Sequence, residues 1–354
     1  MTAVAAPSEA EMSVPPGIDA AAVGAWLEAN VAGVSGPFAY ELIAGGHSNL
    51  TFKVRDGAGR DFVLRRQPLG HILPSAHDMG REFRIISGLA GSAVPVPTPL
   101  GLCEDPEVTG GNFYAMDFVD GWILRIPADT ARAFPEQADR ATLAGSLIDV
   151  LADLHLLDPA DVGLGELGRH EGYVERQLRR WQRQWEDSKT RELPAIDEVH
   201  DILSASVPAQ QRVSIVHGDY RLDNVVSGFD ARVAAVLDWE LCTLGDPLAD
   251  LGGLLISWVE DGEDGSYHFG GTPTALPGFP GRAELIDRYA ARSGLDLANV
   301  EYYVGFAYWK LACIGEGVYA RYRAGAMGEQ RDVSLPQMAK KVELLSELAL
   351  VSVR

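Results

Sequence analysis

Val216-His217-Gly218-Asp219-Tyr220-Arg221-Leu222-Asp223-Asn224, followed by Val236-Leu237-Asp238-Trp239-Glu240, is the stretch on which the reading of this chain turns. Apolar, β-branched runs at Val213–Val216, Val225–Val226 and Val233–Leu237 surround it, so short strands are expected with the polar segment Gly218 to Asn224 as a loop between the first two. Asp219 and Asn224 lie five positions apart, and Asp238 follows Asp219 by nineteen. An isolated Asp/Asn/Gly cluster is ordinarily a surface turn. Three such residues at fixed spacing, delivered by two apolar strands, ask for a chemical reason. In phosphoryl transfer from a nucleotide, one carboxylate orients the attacking hydroxyl and accepts its proton, while an amide and a second carboxylate hold the magnesium that neutralises the phosphates. Asp219, Asn224 and Asp238 supply those three groups.

Working outward, Phe38–Leu42, Leu50–Val54, Phe62–Arg65 and Phe113–Phe118 read as strands separated by Gly, Asp and Pro. One helix interrupts them, about 78–90, with Glu82, Ile86 and Leu89 on a single face. Val119-Asp120-Gly121 reads as a hinge. Beyond it helical periodicity dominates, about 140–156, 171–187, 246–258, 282–293, 298–323 and 335–350. The expected fold is therefore α+β in two lobes: a small β-rich N-lobe over 31–118 and a larger, mainly helical C-lobe over 119–354, preceded by a flexible terminus and first helix over 1–30.

Composition narrows the partners. With 354 residues, 47% hydrophobic and 23% charged, the chain has ordinary globular usage. Its 50 acidic against 30 basic residues give a net charge of −20, which disfavours nucleic acid and anionic membrane surfaces. The longest nearly unbroken apolar stretch, Leu251 to Val259, is less than half of the roughly 20 residues a bilayer requires. The first seventeen residues lack the basic start and apolar block of a secretory signal. Cys103, Cys242 and Cys313 lie far apart with no C-x-x-C pairing, which fits a reducing cytoplasm.

H-G-D-Y-R-L-D-N followed by L-D-W-E resembles the aminoglycoside phosphotransferase and choline kinase family, and in particular the kinase-like segment fused to some acyl-CoA dehydrogenases. The resemblance covers about residues 38 to 345 and includes the helical motifs Trp309-Lys310-Leu311-Ala312 and Glu316 to Tyr322. It implies the two-lobed protein-kinase-like fold and an ATP- and Mg2+-dependent kinase, with GTP an alternative nucleotide. The expected acceptor is a small-molecule hydroxyl, and a monomer or homodimer is expected. By the same resemblance Asp219 is the catalytic base, and Asn224 and Asp238 are the magnesium ligands. Ala44 to Thr51, with Ser48 and Asn49, resembles the nucleotide-covering loop, where glycines let backbone N–H groups approach phosphate.

Phe62-Val63-Leu64-Arg65 stands where kinases show V-A-I-K, so Arg65 is the expected phosphate-binding cation and Glu82 its partner. Arginine departs from the usual lysine, and its planar fork is not equivalent. Tyr114 to Val119 resembles the adenine-binding segment, which makes Met116, Asp117 and Val119 expected nucleotide-site residues, with the backbone of Asp117 and Val119 reading the base edge. His217 and His155 are expected to shape structure rather than catalyse. Asp246 before Pro247 fits a helix N-cap as well as a functional role, and Asp250 is expected to bond the catalytic loop.

On helix 171–187, Val174, Leu178, Trp181 and Trp185 form an expected core stripe, while Arg176, Arg179, Arg180 and Arg183 occupy the other side. That basic face is either solvated or a landing site for an anionic substrate such as a coenzyme A ester. The leading reading is a small-molecule kinase acting on a hydroxyacyl compound or its coenzyme A ester, ahead of an aminoglycoside. The alternatives are a nucleotide-binding regulatory module without turnover, which Arg65 keeps open, and a metal-dependent hydrolase using His217, Asp219 and Asp238.

Overall fold

The structure, a computed structural model, describes residues 15–43, 49–68, 78–326 and 334–354. The chain divides into two compact units, one of residues 1–90 with 96–119 and the other of residues 91–95 with 120–354. The expected loop residue Ser48, with Gly45, Gly46 and His47, lies outside the described residues.

The first unit is built on an antiparallel sheet in the order β1-β2-β3-β5-β4, from β1 (Ala39–Leu42), β2 (Leu50–Arg55), β3 (Asp61–Arg66), β4 (Pro99–Cys103) and β5 (Phe113–Asp117). Period-2 alternation divides its side chains between two faces. On one face Phe52, Val54, Phe62, Leu64, Phe113 and Ala115 pack against Val23, Leu27 and Val31 at and just beyond α1 (Ala20–Asn30). That helix starts where Asp19 accepts from the N–H groups of Ala21 and Ala22. Val63 and Arg65 therefore belong to the opposite face. There α2 (Met79–Leu89), capped by Asp78 onto the Arg81 N–H, buries Met79, Glu82, Ile85, Ile86 and Leu89. Strand β4 and the short helix α3 (Pro106–Thr109) escape the sequence reading, because Pro-Leu-Gly-Leu-Cys carries strand breakers and no alternation.

The second unit is mainly helical. Around the 24-residue α10 (Val300–Arg323) pack α6 (Tyr173–Ser188), α7 (Pro194–Ala205), α8 (Pro247–Ser257) and α11 (Leu335–Val353), while α5 (Gln137–Leu156) packs on α9 (Arg282–Ser293). Trp185, Trp258 and Trp309 are among its fully buried side chains. The helix α4 (Pro127–Ala133) precedes α5. Among the described residues no helix is long and apolar enough to cross a membrane. Two small ladders complete the unit, β6 (Ser214–Val216) with β9 (Thr243–Gly245) and β7 (Val225–Ser227) with β8 (Val233–Val236).

These ladders place the polar loops. Pairing of Val225 with Val236 sets the end of the first loop beside the start of the second, and the Leu237 N–H reaches the Asn224 carbonyl at 2.9 Å. Pairing of Val216 with Thr243 sets His217 near the segment that enters α8.

Candidate active site

In the second unit, β6 ends at Val216 and the chain turns at Gly218, whose φ is +86°. A Cβ there would meet the Leu241 carbonyl oxygen at 2.8 Å, so the turn needs glycine in both conformation and space. Asp219 follows with its side chain 47% exposed, the accessibility a group must have to meet a substrate. The Asn224 amide donates to the Asp219 backbone oxygen at 2.9 Å and to Asp219 Oδ2 at 2.8 Å. Both partners are acceptors, so the amide nitrogen is fixed toward Asp219 and the amide oxygen turns away from it. Asp238 is half-buried and holds φ +62°, a left-handed conformation uncommon outside glycine and the kind of strain that gathers at functional sites. The amide oxygen of Asn224 and the Asp238 carboxylate are hard oxygen donors on adjacent chain segments, a set able to hold a magnesium ion.

The loop is held from below by α8. Asp246 caps that helix on the Leu248 N–H at 3.1 Å and accepts from the Tyr303 hydroxyl at 2.7 Å. Burial pushes its carboxyl up. One turn on, Asp250 accepts the His217 N–H at 2.5 Å and the Gly218 N–H at 2.8 Å. His155 Nε2 lies 3.4 Å from Asp250 Oδ2, and its Nδ1 is 2.7 Å from the Tyr289 hydroxyl. Burial alone raises the Asp250 carboxyl, but His155, His217 and the Gly218 N–H together hold it below the ordinary value. The carboxylate is therefore a charged anchor for the loop.

His217 is fully buried, with Nε2 2.8 Å from the Leu237 carbonyl oxygen and the Asp219 N–H donating to its Nδ1 at 3.3 Å. It ties the two polar loops together. Both histidines are thus occupied by structural bonds, and among the described residues no group of three or more His, Cys, Asp or Glu side chains converges to hold a metal.

Beside Asp219 opens a cavity of about 310 Å³, walled by Tyr173 and Trp181 of α6, Ala249, Gly253 and Ile256 of α8, and Phe306, Ala307, Lys310 and Ile314 of α10. Asp219, Arg221 and His268 contribute its polar edge. Lys310 Nζ donates to the Gly218 carbonyl at 3.3 Å; burial lowers its ammonium pKa, with Asp219 and Asp250 opposing. Arg221 pairs with Asp223 at 2.5 Å and lies 3.8 Å from Asp219. Burial raises the Asp223 carboxyl even so. Trp181, expected in the core, is a half-buried wall of this cavity, whereas Val174, Leu178 and Trp185 are buried as expected. Lys310, Arg221 and His268 have no place in the site read from sequence. A lysine inside the apolar run Ala307-Tyr308-Trp309-Lys310-Leu311-Ala312 was the available signal.

In the first unit, Arg65 and Tyr114 are cross-strand partners on one face of the sheet. Arg65 Nε meets Glu82 Oε2 at 2.9 Å with only 13% of the arginine side chain exposed, and the Tyr114 hydroxyl donates to the same oxygen at 3.1 Å. The Asn49 amide donates to Glu82 Oε1 at 3.0 Å. Three of the expected nucleotide-site residues, Asn49, Arg65 and Glu82, thus form one buried cluster. Met116 is buried in β5. The Asp117 side chain pairs with Arg60 at 2.8 Å, and its backbone N–H donates to the Thr98 carbonyl at 2.9 Å.

Residues 39–300 match the model of the phosphotransferase enzyme family, and the chain belongs to that family. Mouse (Mus musculus) acyl-CoA dehydrogenase family member 10 is 35% identical over 318 residues, which are 89% of this chain and 29% of that protein. The chain thus spans under a third of that relative. A solved structure of a Ralstonia eutropha JMP134 protein, provisionally described as an aminoglycoside phosphotransferase, is 33% identical with a TM-score of 0.79, covering 95% of this chain and 98% of that one. The amicoumacin kinase hAmiN, solved with AMP-PNP, Ca2+ and amicoumacin, shares the fold at 13% identity and a TM-score of 0.57, covering 87% of this chain and 88% of that one. The fold is the kinase-like one, and the matched residues form a domain of the phosphotransferase enzyme family. A regulatory module without turnover is the less favoured reading.

Proposed function

We propose that the protein moves the γ-phosphoryl group of ATP, with magnesium, to a hydroxyl of a small molecule, and that this acceptor is a hydroxyacyl compound or its coenzyme A ester rather than an aminoglycoside. The nucleotide and divalent metal are supported by the chemistry of Asn224 and Asp238 and by the AMP-PNP and Ca2+ held by the amicoumacin kinase. Asp219 is assigned as the base, Asn224 and Asp238 as the metal-holding pair, and Asn49, Arg65, Glu82, Met116, Asp117 and Val119 as the nucleotide-binding group, Arg65 meeting the phosphates.

The acceptor oxygen bonds to the γ-phosphorus as the bond to the bridging oxygen of the β-phosphate breaks, ADP leaves with that electron pair, and the hydroxyl proton passes to the Asp219 carboxylate. Magnesium, when bound, neutralises phosphate charge. Asn224 holds the Asp219 carboxylate by its 2.8 Å hydrogen bond, which orients the base. Asp250 fixes the loop backbone. Catalysis is then positioning and charge neutralisation rather than covalent chemistry.

The observation that carries the choice of acceptor is the lining of the cavity beside Asp219. Its walls are aromatic and aliphatic, its cations are Lys310 and Arg221, and its two carboxylates are Asp219 and the already bonded Asp250. A polycationic sugar needs free carboxylates, whereas an acyl chain with an anionic or carbonyl end needs apolar walls and donors. Incubating the protein with Mg-ATP and, side by side, hydroxy acids, their coenzyme A esters and aminoglycosides, with product masses read directly, tests this. A phosphorylated acyl product is expected. Turnover of an aminoglycoside with none of the acyl compounds would reverse the assignment.

A further inference from the structure

The polar face of α6 forms a second concavity, a groove of about 510 Å³ lined by Arg169, Arg176, Arg179, Arg180 and Arg183, with Asp187 the one acidic residue in its lining. Among the described residues none of these five arginines forms an ion pair. Elsewhere in this acidic chain several arginines are neutralised by carboxylates, among them Arg55 with Asp61, Arg60 with Asp117, Arg191 with Glu316, Arg288 with Asp149 and Arg292 with Asp153. On α6, Arg176, Arg179, Arg180 and Arg183 stand three and four residues apart, where like charges destabilise a helix. Arg176 also donates to the Arg169 carbonyl at 3.1 Å, which draws both residues to one end of the groove.

The groove and the cavity beside Asp219 are lined by neighbouring residues of α6. Arg180 lies 4.9 Å from the ring centre of Trp181, and Lys310 approaches the same ring at 5.8 Å. Trp181 lines the cavity; Arg180 lines the groove. A single ligand can therefore lie with an apolar end in the cavity and an anionic end on the arginines. Guanidinium forks match phosphate oxygens two at a time, and five of them facing one carboxylate call for several negative charges close together. The long-range repulsion from the net charge of −20 is screened beyond about 8 Å at physiological salt, so contact charge decides.

We propose that the arginine groove on α6 binds a cluster of phosphate groups carried by the acceptor, at a site separate from the one formed by Asp219, Asn224 and Asp238. This rests on the reading of the acceptor as an acyl compound borne on a phosphorylated carrier. The test compares parent and Arg179→Gln/Arg183→Gln protein on a hydroxyacyl-coenzyme A ester and on the matching pantetheine thioester, which lacks the phosphates. The variant is expected to raise KM at least tenfold for the coenzyme A ester, leave kcat within twofold, and leave KM for the pantetheine thioester unchanged. Equal effects on both thioesters, or on neither, overturn the proposal. A second arm needs no turnover: calorimetric binding of inorganic tripolyphosphate without ATP or metal is expected to weaken at least tenfold in the variant. Loss of tripolyphosphate binding with both KM values unmoved would identify a free polyphosphate as the occupant and overturn the carrier assignment. If no thioester is phosphorylated by the parent, the acyl reading falls by itself, and unchanged tripolyphosphate binding would then overturn the groove as well.

Discussion

Asn224 and Asp219 are locked to each other twice, through the Asp219 backbone oxygen at 2.9 Å and its carboxylate at 2.8 Å. The Asp219 carboxylate, the proposed base, is therefore oriented before any substrate arrives. Asp219→Asn is expected to keep nucleotide affinity within a few-fold and to lower kcat by about 10² to 10⁴, the usual worth of a positioned general base. Single-turnover rates with the true acceptor check this. A loss under about tenfold, equivalent to about 1.4 kcal/mol of barrier, would remove Asp219 from the role.

Asp238 reaches the site through a strained left-handed backbone conformation and stands on the segment paired to Asn224. Its removal should leave the base untouched and abolish the metal's hold on the nucleotide. In a thermal melt, parent protein with ATP is expected to gain stability on addition of magnesium, and Asp238→Ala to gain none. Equal magnesium-dependent gains in both proteins would separate Asp238 from the metal.

Asp250 serves the loop rather than the substrate. Replacing it with alanine leaves the buried His217 N–H, the half-buried Gly218 N–H and the His155 ring without their acceptor. At about 1 to 3 kcal/mol for an unmet buried donor, the His217 N–H alone predicts a loss of roughly that size, and the Gly218 N–H adds to it. Urea unfolding of Asp250→Ala and Asp250→Asn checks it, with the asparagine intermediate because one acceptor oxygen survives. A change below about 1 kcal/mol in the alanine variant would contradict the anchoring role.

Much of this was legible in the sequence, for reasons the structure makes plain. The long helices carry a 3.6-residue apolar period, and α10 at Val300–Arg323 lies close to the expected 298–323. Glu82 could be placed beside Arg65 by the resemblance to the kinase Lys–Glu pair, since it stands on the inward face of its helix. What escaped depends on tertiary contact. Strand β9, three residues of Thr-Leu-Gly, exists only because β6 needs a partner. Helix α7 begins at Pro194 without a side-chain cap, so no start signal marked it beyond the proline. Trp181 fits the core stripe by spacing alone, and only the position of Lys310 and Tyr173 around it shows that it faces a cavity.

His268 at the edge of that cavity is mostly buried, and burial depresses its pKa from 6.5 to about 4. The unfolded chain therefore binds a proton there between about pH 6.5 and 4 while the folded chain does not, so stability falls as pH is lowered through that window. The integrated difference between pH 7 and pH 5 is about 2 kcal/mol, since each tenfold change in proton affinity is worth about 1.4 kcal/mol. Unfolding free energies from urea titrations at the two pH values should draw closer by that amount in His268→Gln. An unchanged pH dependence would mean that another group carries the acid sensitivity.

The adjacent glycines of α8 make opposite demands. A Cβ on Gly252 would stand 2.5 Å from the Tyr303 carbonyl oxygen, where α8 crosses α10, while a Cβ on Gly253 meets nothing within 4 Å and points into the cavity beside Asp219. Gly252→Ala is expected to destabilise by about 1 to 3 kcal/mol, the cost of overpacking a closed contact. Gly253→Ala should stabilise by about 0.5 to 1 kcal/mol, since it removes a flexible residue from a helix interior without a clash. The same open space makes Gly253 a handle on the acceptor. Gly253→Leu would occupy part of a cavity of about 310 Å³ while leaving Asp219, Asn224 and Asp238 in place. Its kcat/KM is expected to fall at least tenfold for long-chain hydroxyacyl acceptors and to stay within about threefold for the shortest, a loss of a few kcal/mol of apolar contact and room. Measuring kcat/KM across a chain-length series decides the matter. A uniform loss at every length would place the acyl chain outside this cavity.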